Sequence, residues 1–227
     1  MAAYEPLTTS RQAAFYVAVP RLPATRTSVA LWGHADCLLE YAAGEEILSS
    51  DPGVFRSLAF VVRRVADRKA VAHGRVVLLN VDPAGDPVGA MARAGETTEE
   101  GWELLDLAQS STEGFQLFEA GRVLALQFFE VHAKLRGAGV GRPYAMSVLR
   151  MLATWYRVAL VVLRPWPIQF LGTRRCKSKA FFAAQRKLCR CYRSTWGMTR
   201  LGRSAWMGLA MPGFRLRSDR ARWSLAA

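Results

Sequence analysis

GRVLALQFFEVHAKLRGAGVGRPYAMSVLRM, residues Gly121 to Met151, passes from an apolar strand through a glycine-rich turn into an amphipathic helix. At the turn, Arg136-Gly137-Ala138-Gly139-Val140-Gly141-Arg142 sets three glycines at alternate positions between two arginines. Glycine adopts backbone angles closed to other residues and lets a second molecule come close to the main chain. The helix that starts there presents unpaired N–H groups and the positive end of its dipole, an arrangement that holds anions. The stretch therefore reads as a cradle for phosphate.

Spacing separates the phosphate cradles from one another. No Lys-Ser/Thr follows the turn, which excludes a P-loop, and the spacing of Gly137, Gly139 and Gly141 is not G-x-G-x-x-G. No acidic residue follows until Asp219, so the carboxylate of a dinucleotide site is missing as well. What remains is R-x-x-G-x-G at Arg136, Gly139 and Gly141, with Val131 five residues before the arginine. This resembles the pyrophosphate-binding motif of the GNAT superfamily of acyl-coenzyme A N-acyltransferases. A second feature lies downstream: Leu188, Tyr192 and Gly197-Met198 resemble the family's L-x-x-x-Y-x-x-x-G-F helix ending, with one residue more before the glycine and Met198 in place of the aromatic.

Composition sets the frame. A chain of 227 residues, 51% apolar and 22% charged, suits one globular domain with an ample core. No run approaches the roughly 20 uncharged residues of a membrane span, and MAAYEPLTTSR carries no secretory signal pattern; the expected compartment is the cytoplasm. Cys37, Cys176, Cys189 and Cys191 form no C-x-x-C pair, and His34, His73 and His132 are scattered, so reduced thiols and no metal are expected. Charge is uneven. Through Glu130 there are 11 Lys/Arg against 17 Asp/Glu, a balance of −6; from Val131 onward there are 20 against Asp219 alone, a balance of +19. A coenzyme A molecule accounts for only a few of those cations, so an acidic partner or RNA is expected beside it.

In chain order, Ala13–Val19 reads as a strand and Ala35–Leu48 as a helix weakened by Gly44. Ser57–Arg64 and Arg75–Val81 read as an antiparallel pair joined by the charged stretch Ala66–Gly74. Thr97 and Glu100 fit a capping box on a helix reaching about Gln109. The continuous apolar run Arg122–Val131 predicts a strand covered on both faces. Pro143 is tolerable in the first turn of the helix that follows. Val158–Leu163 is the next strand, parallel to Arg122–Val131 across that helix. Ser178–Thr195 predicts a helix with an apolar stripe of Phe181, Ala184, Leu188 and Cys191, a basic face of Lys179, Arg186, Arg190 and Arg193, and a stop at Gly197. Thr199–Leu201 and Ala205–Ala210 read as short strands.

The resemblance implies an α/β fold with a mixed central sheet flanked by helices, matched over residues 122–211. The single domain then spans 1–214, with 1–121 as the acceptor-side half, a helical insertion at about 83–120 and a basic tail at 215–227. It implies transfer of an acyl group, expected to be acetyl, from acyl-CoA to a primary amine. Two adjacent parallel strands would part near Val131 and Leu163 to admit the pantetheine arm. Backbone groups of Val131 and Ala133 would hold that arm, the N–H groups of Arg136, Gly137, Ala138, Gly139, Val140, Gly141 and Arg142 the pyrophosphate, and the Arg136 side chain would add charge. Tyr192 would be the general acid. The family's glutamate position falls on Ala125 or Gln127, so the base is water-relayed or comes from the N-terminal half, with Glu130 and His132 as candidates. Two alternatives stay open: a nucleic-acid-associated protein, and a GNAT-like fold that binds acyl-CoA without catalysis.

Overall fold

A computed structural model describes residues 15–43, 55–80, 86, 89, 99–110, 112–170, 178–202, 204–213 and 215. Eight strands form one mixed sheet: β1 (Thr27–Leu31), β2 (His34–Ala43), β3 (Phe55–Arg64), β4 (Ala70–Asn80), β5 (Arg122–Val131), β6 (Leu160–Leu163), β7 (Thr199–Arg200) and β8 (Met207–Ala210). Their spatial order is β1-β2-β3-β4-β5-β6-β8-β7. Only β5 and β6 pair in parallel; every other neighbouring pair is antiparallel. Among the described residues, four helices accompany the sheet: α1 (Glu99–Ser110), α2 (Thr112–Glu119), α3 (Gly141–Tyr156) and α4 (Lys179–Trp196). Among the described residues, no helix is long and apolar enough to cross a membrane.

The central strands are sandwiched, as their unbroken apolar runs require. Leu124, Leu126, Val161 and Leu163 pack with Ala145, Val148, Leu149, Met151 and Leu152 of α3. The alternate residues Val123, Ala125, Leu160 and Val162 pack with Leu104, Leu105, Leu107 and Ala108 of α1 and Leu117 and Phe118 of α2. The helical segment at 99–119 thus covers the sheet face opposite α3. Burying a Leu or Val side chain contributes about 1.5–3 kcal/mol, so this double layer is the main source of stability around β5.

Several expectations are corrected. Residues 34–43 are strand, not helix: β2 is paired on both sides, by β1 and β3. Its Glu40, 2% exposed, is held by Arg26, Arg63 and Arg68; tertiary pairing overrides a helix-like Leu/Ala/Glu composition. Residues 15–19 are irregular rather than strand. The N–H groups of Tyr16 and Val17 donate to the Glu130 carboxylate, and Pro20 has no N–H for a ladder. Strand β4 begins at Ala70, so the connection from β3 is shorter than 66–74. On α4 the residues turned to the core end in the half-buried Tyr192 and the buried Trp196, while Cys191 is exposed. Thr97 of the expected capping box, Cys176 and most of the basic tail lie outside the described residues.

Candidate functional site

The β4–β5 register places Arg75 opposite Phe128 and Val76 opposite Leu126, so Gln127 is the extra residue of a bulge in β5. A bulge bends its strand and sharpens the local twist. Parallel pairing with β6 runs from Val123–Leu160 to Leu126–Leu163 and stops there. From Gln127 to Val131, therefore, β5 continues without β6 beside it. His132 N–H donates to the Val71 carbonyl across β4. Successive residues of a strand turn their backbone groups to opposite edges, so the N–H and C=O of Val131 point toward the edge that β6 has left.

Buried polar atoms without partners gather at this parting. Among the described residues, Gln127 Oε1, Arg164 Nε and Trp166 Nε1 are buried and make no hydrogen bond. Gln127 sits at the bulge, and Arg164 and Trp166 follow directly on the last residue of β6. Each orphan costs about 1–3 kcal/mol unless something satisfies it. Arg164 also pairs through its terminal nitrogen with Glu103 of α1 and lies over the Trp166 ring at 4.8 Å.

Beyond Val131 comes a 3₁₀ turn, Ala133–Leu135, and then the glycine segment. Gly137 has φ +84° and Gly139 φ +77°, left-handed values that explain glycine at both places. Arg136 N–H donates to the Ala133 carbonyl and Ala138 N–H to Leu135, so those two amides are already used. Helix α3 starts with no side-chain cap at Val140 and no acidic residue in its first turn. The N–H groups of Gly139, Val140, Gly141 and Arg142 have no partner among the described residues.

The Arg136 side chain departs from expectation. Its Nε donates to the Val131 carbonyl at 3.0 Å and a terminal nitrogen to Glu130 Oε1 at 2.6 Å, with the guanidinium 4.4 Å over the Tyr16 ring. Its charge faces a carboxylate instead of adding to the anion cradle. Glu130, 3% exposed, also takes the N–H groups of Tyr16 and Val17, the latter at 3.0 Å. Both its oxygens are occupied by donors. His132 Nδ1 accepts from Lys134 N–H at 3.2 Å. Tyr192 packs beside the α3-side core and meets Trp196 edge to face at 4.8 Å; burial raises its pKa, so the phenol holds its proton. Cys189 and Cys191 reinforce that shift.

No family model matches the chain, and no curated protein matches it. A crystal structure of an agmatine N-acetyltransferase mutant in its apo form is similar over 67% of this chain and 74% of that chain, at 16% identity and a TM-score of 0.35. So slight a likeness carries no argument.

Three features were not legible in the sequence. The bulge has no residue signature, since Gln127 interrupts an apolar run only once. Glu130 as the anchor of the N-terminal segment joins residues over 110 positions apart. His73 is the third: it is fully buried, neither ring nitrogen makes a hydrogen bond among the described residues, and its Nε2 lies 3.5 Å from Glu130 Oε2. No group of three or more His, Cys, Asp or Glu that could hold a metal occurs among the described residues.

Proposed function

We propose that the chain is an acyl-CoA-dependent N-acyltransferase, with acetyl-CoA as donor and a primary amine as acceptor. The observation that carries this reading is the parting of β5 from β6 at the Gln127 bulge, which leads directly into an uncapped, glycine-rich helix start. A pantetheine arm needs amide partners along an unpaired strand edge, and its pyrophosphate needs N–H donors at the far end. The Val131 N–H faces the vacated edge. The N–H groups of Gly139, Val140, Gly141 and Arg142 supply the second requirement, and that of Ala133 stands between the two.

In the reaction a neutral amine attacks the thioester carbonyl, the C–N bond forms, the C–S bond breaks, and the amine loses a proton while the departing sulfur gains one. Tyr192 gives the proton to sulfur, a role suited to a phenol kept neutral by burial. The Gln127 oxygen can accept a hydrogen bond from the amine or from a water that removes its proton. Glu130, with both oxygens engaged, positions Arg136 and the N-terminal segment instead of serving as base.

Acetyl-CoA at a hundred times its Kd should stabilise the protein by about 2.7 kcal/mol, raising Tm by several degrees. An unchanged Tm at about 1 mM acetyl-CoA would overturn the reading. A second reading, acyl-CoA binding without transfer, is favoured by the absence of a carboxylate at Ala125 and Gln127. Tyr192→Phe separates the two once an accepted amine is found: thiol release should fall about 10²–10⁴-fold while the acetyl-CoA shift persists.

A further inference from the structure

We propose that a groove along the outer face of α3 binds single-stranded RNA, a function that does not depend on the acyl-CoA reading. The groove is open, has a volume of about 920 Å³, and is lined along one side by Arg142, Met146, Arg150 and Thr154. These four recur every fourth residue, so they form one ridge of the helix. The opposite wall is the backbone from Leu209 to Gly213 with Arg215, and Trp32 and Trp196 complete the lining. Among the described residues, no acidic side chain lines it. Arg142, Arg150 and Arg215 are exposed, and none makes a salt bridge among the described residues.

Spacing and ring exposure identify the ligand. Arg142 and Arg150 are eight residues apart, about 12 Å along the helix axis. That is over three times the ~3.4 Å per phosphate of a stacked strand, so the two arginines reach separate phosphates of a polymer, not the two of one pyrophosphate. Trp32 is 47% exposed and Trp155 38%. They meet edge to face at 6.3 Å, and Trp155 stacks on Tyr41 at 5.3 Å. The Trp32 backbone N–H donates to Met151 Sδ on α3, which holds residue 32 beside the helix, and the side chain lines the groove. An exposed aromatic plane beside a row of unpaired cations is what unstacked bases and their phosphates require. Bases inside a duplex could not reach it. The Thr154 hydroxyl offers a hydrogen-bonding group to a ribose 2′-hydroxyl, the feature that distinguishes RNA.

The test is fluorescence anisotropy of the full chain with a labelled oligouridylate of about ten nucleotides, over a series of salt concentrations. Binding that weakens steeply with salt is expected. Arg150→Ala with Arg215→Ala should weaken it and reduce the slope of log K against log salt by about 1.4, since each lost single-strand phosphate contact removes about 0.7. Trp32→Ala should weaken binding about ten-fold while Trp32→Phe retains most of it, a contrast that misfolding would not produce; melting curves of each variant check the fold. Three results would overturn the proposal: no binding at low salt, equal loss from Arg186→Ala with Arg190→Ala on α4, or binding of polyglutamate or oligodeoxyuridylate as tight as that of RNA.

Discussion

Replacing Glu130 by alanine should release the N-terminal segment from the sheet. The carboxylate is 3% exposed and accepts from Tyr16 N–H, Val17 N–H and Arg136. A hydrogen bond to a charged group contributes about 1.5–3 kcal/mol. The Arg136 side chain is 32% exposed and rehydrates when its partner is removed, so its share falls to the 0–1 kcal/mol of a surface pair. The two amides are not so easily rehydrated, because Phe15 and Val17, 6% and 8% exposed, are packed beside them. Their lower bound together is about 3 kcal/mol. For a domain of this size, each kcal/mol corresponds to about 2–4 °C, so Tm should drop by about 6–12 °C.

Thermal melting with hydrogen exchange at the Tyr16 and Val17 amides measures both halves of that argument. Glu130→Gln keeps the volume but loses one acceptor oxygen and the charge, and should fall between wild type and alanine. A drop below about 2 °C for Glu130→Ala, or amide protection unchanged at residues 16 and 17, would refute the reasoning.

Other outcomes follow from the site. Gly139→Ala meets nothing within 4 Å but must hold φ +77°, so it should cost only about 1–2 kcal/mol of strain yet abolish the acetyl-CoA shift; Gly141→Ala, whose Cβ would sit 3.5 Å from Val131 Cγ2, should melt nearly as wild type. Stability should begin to fall above about pH 8.5, where cysteine titrates in the unfolded chain while burial holds the Cys37 thiol up, and fall more steeply above about pH 10, where tyrosine does so. The reason is that burial, then the hydrogen bond with Cys37, pushes Tyr144 up to about 12, and burial raises Tyr192. In that window the unfolded state binds fewer protons, and urea midpoints against pH should decline less in Tyr144→Phe.

What was legible in the sequence follows from how local each signal is. Residues Arg122–Tyr156 announce themselves through an apolar run, three glycines and a helical stripe, all resolved within about 35 positions. The Ser178 cap, whose hydroxyl accepts from Phe181 N–H, and the left-handed Gly197 bracket α4 by equally local chemistry. Strand β2 was illegible because Asp36–Ala43 has the composition of a helix and becomes strand only by lying between β1 and β3. The return of Arg136 onto Glu130 was illegible for a related reason. An arginine beside a glycine turn can serve a ligand or a carboxylate, and the choice rests on Tyr16 and Val17, far away in sequence. The buried His73, without a hydrogen bond at either nitrogen, likewise depends on Phe15, whose ring meets it edge to face at 4.7 Å.

The single residue Gln127 connects these facts. Before the bulge, Leu124 and Leu126 face α3 while Val123 and Ala125 face α1 and α2. Unbroken alternation would then send Phe128 and Glu130 toward α3. One inserted residue reverses the order: Phe129 and Val131 pack on the α3 side, and Glu130 becomes the cross-strand partner of His73. The same insertion lies where pairing with β6 ends. Thus the device that opens the strand edge also moves the last carboxylate of β5 under the N-terminal segment. Arg136 then reaches back to that carboxylate and takes the Val131 carbonyl with it. The open edge and the anchor of the N-terminus are therefore coupled through one bulge, and on the proposed function a change that loosens the Glu130 cluster should alter acetyl-CoA binding without touching any glycine of the turn.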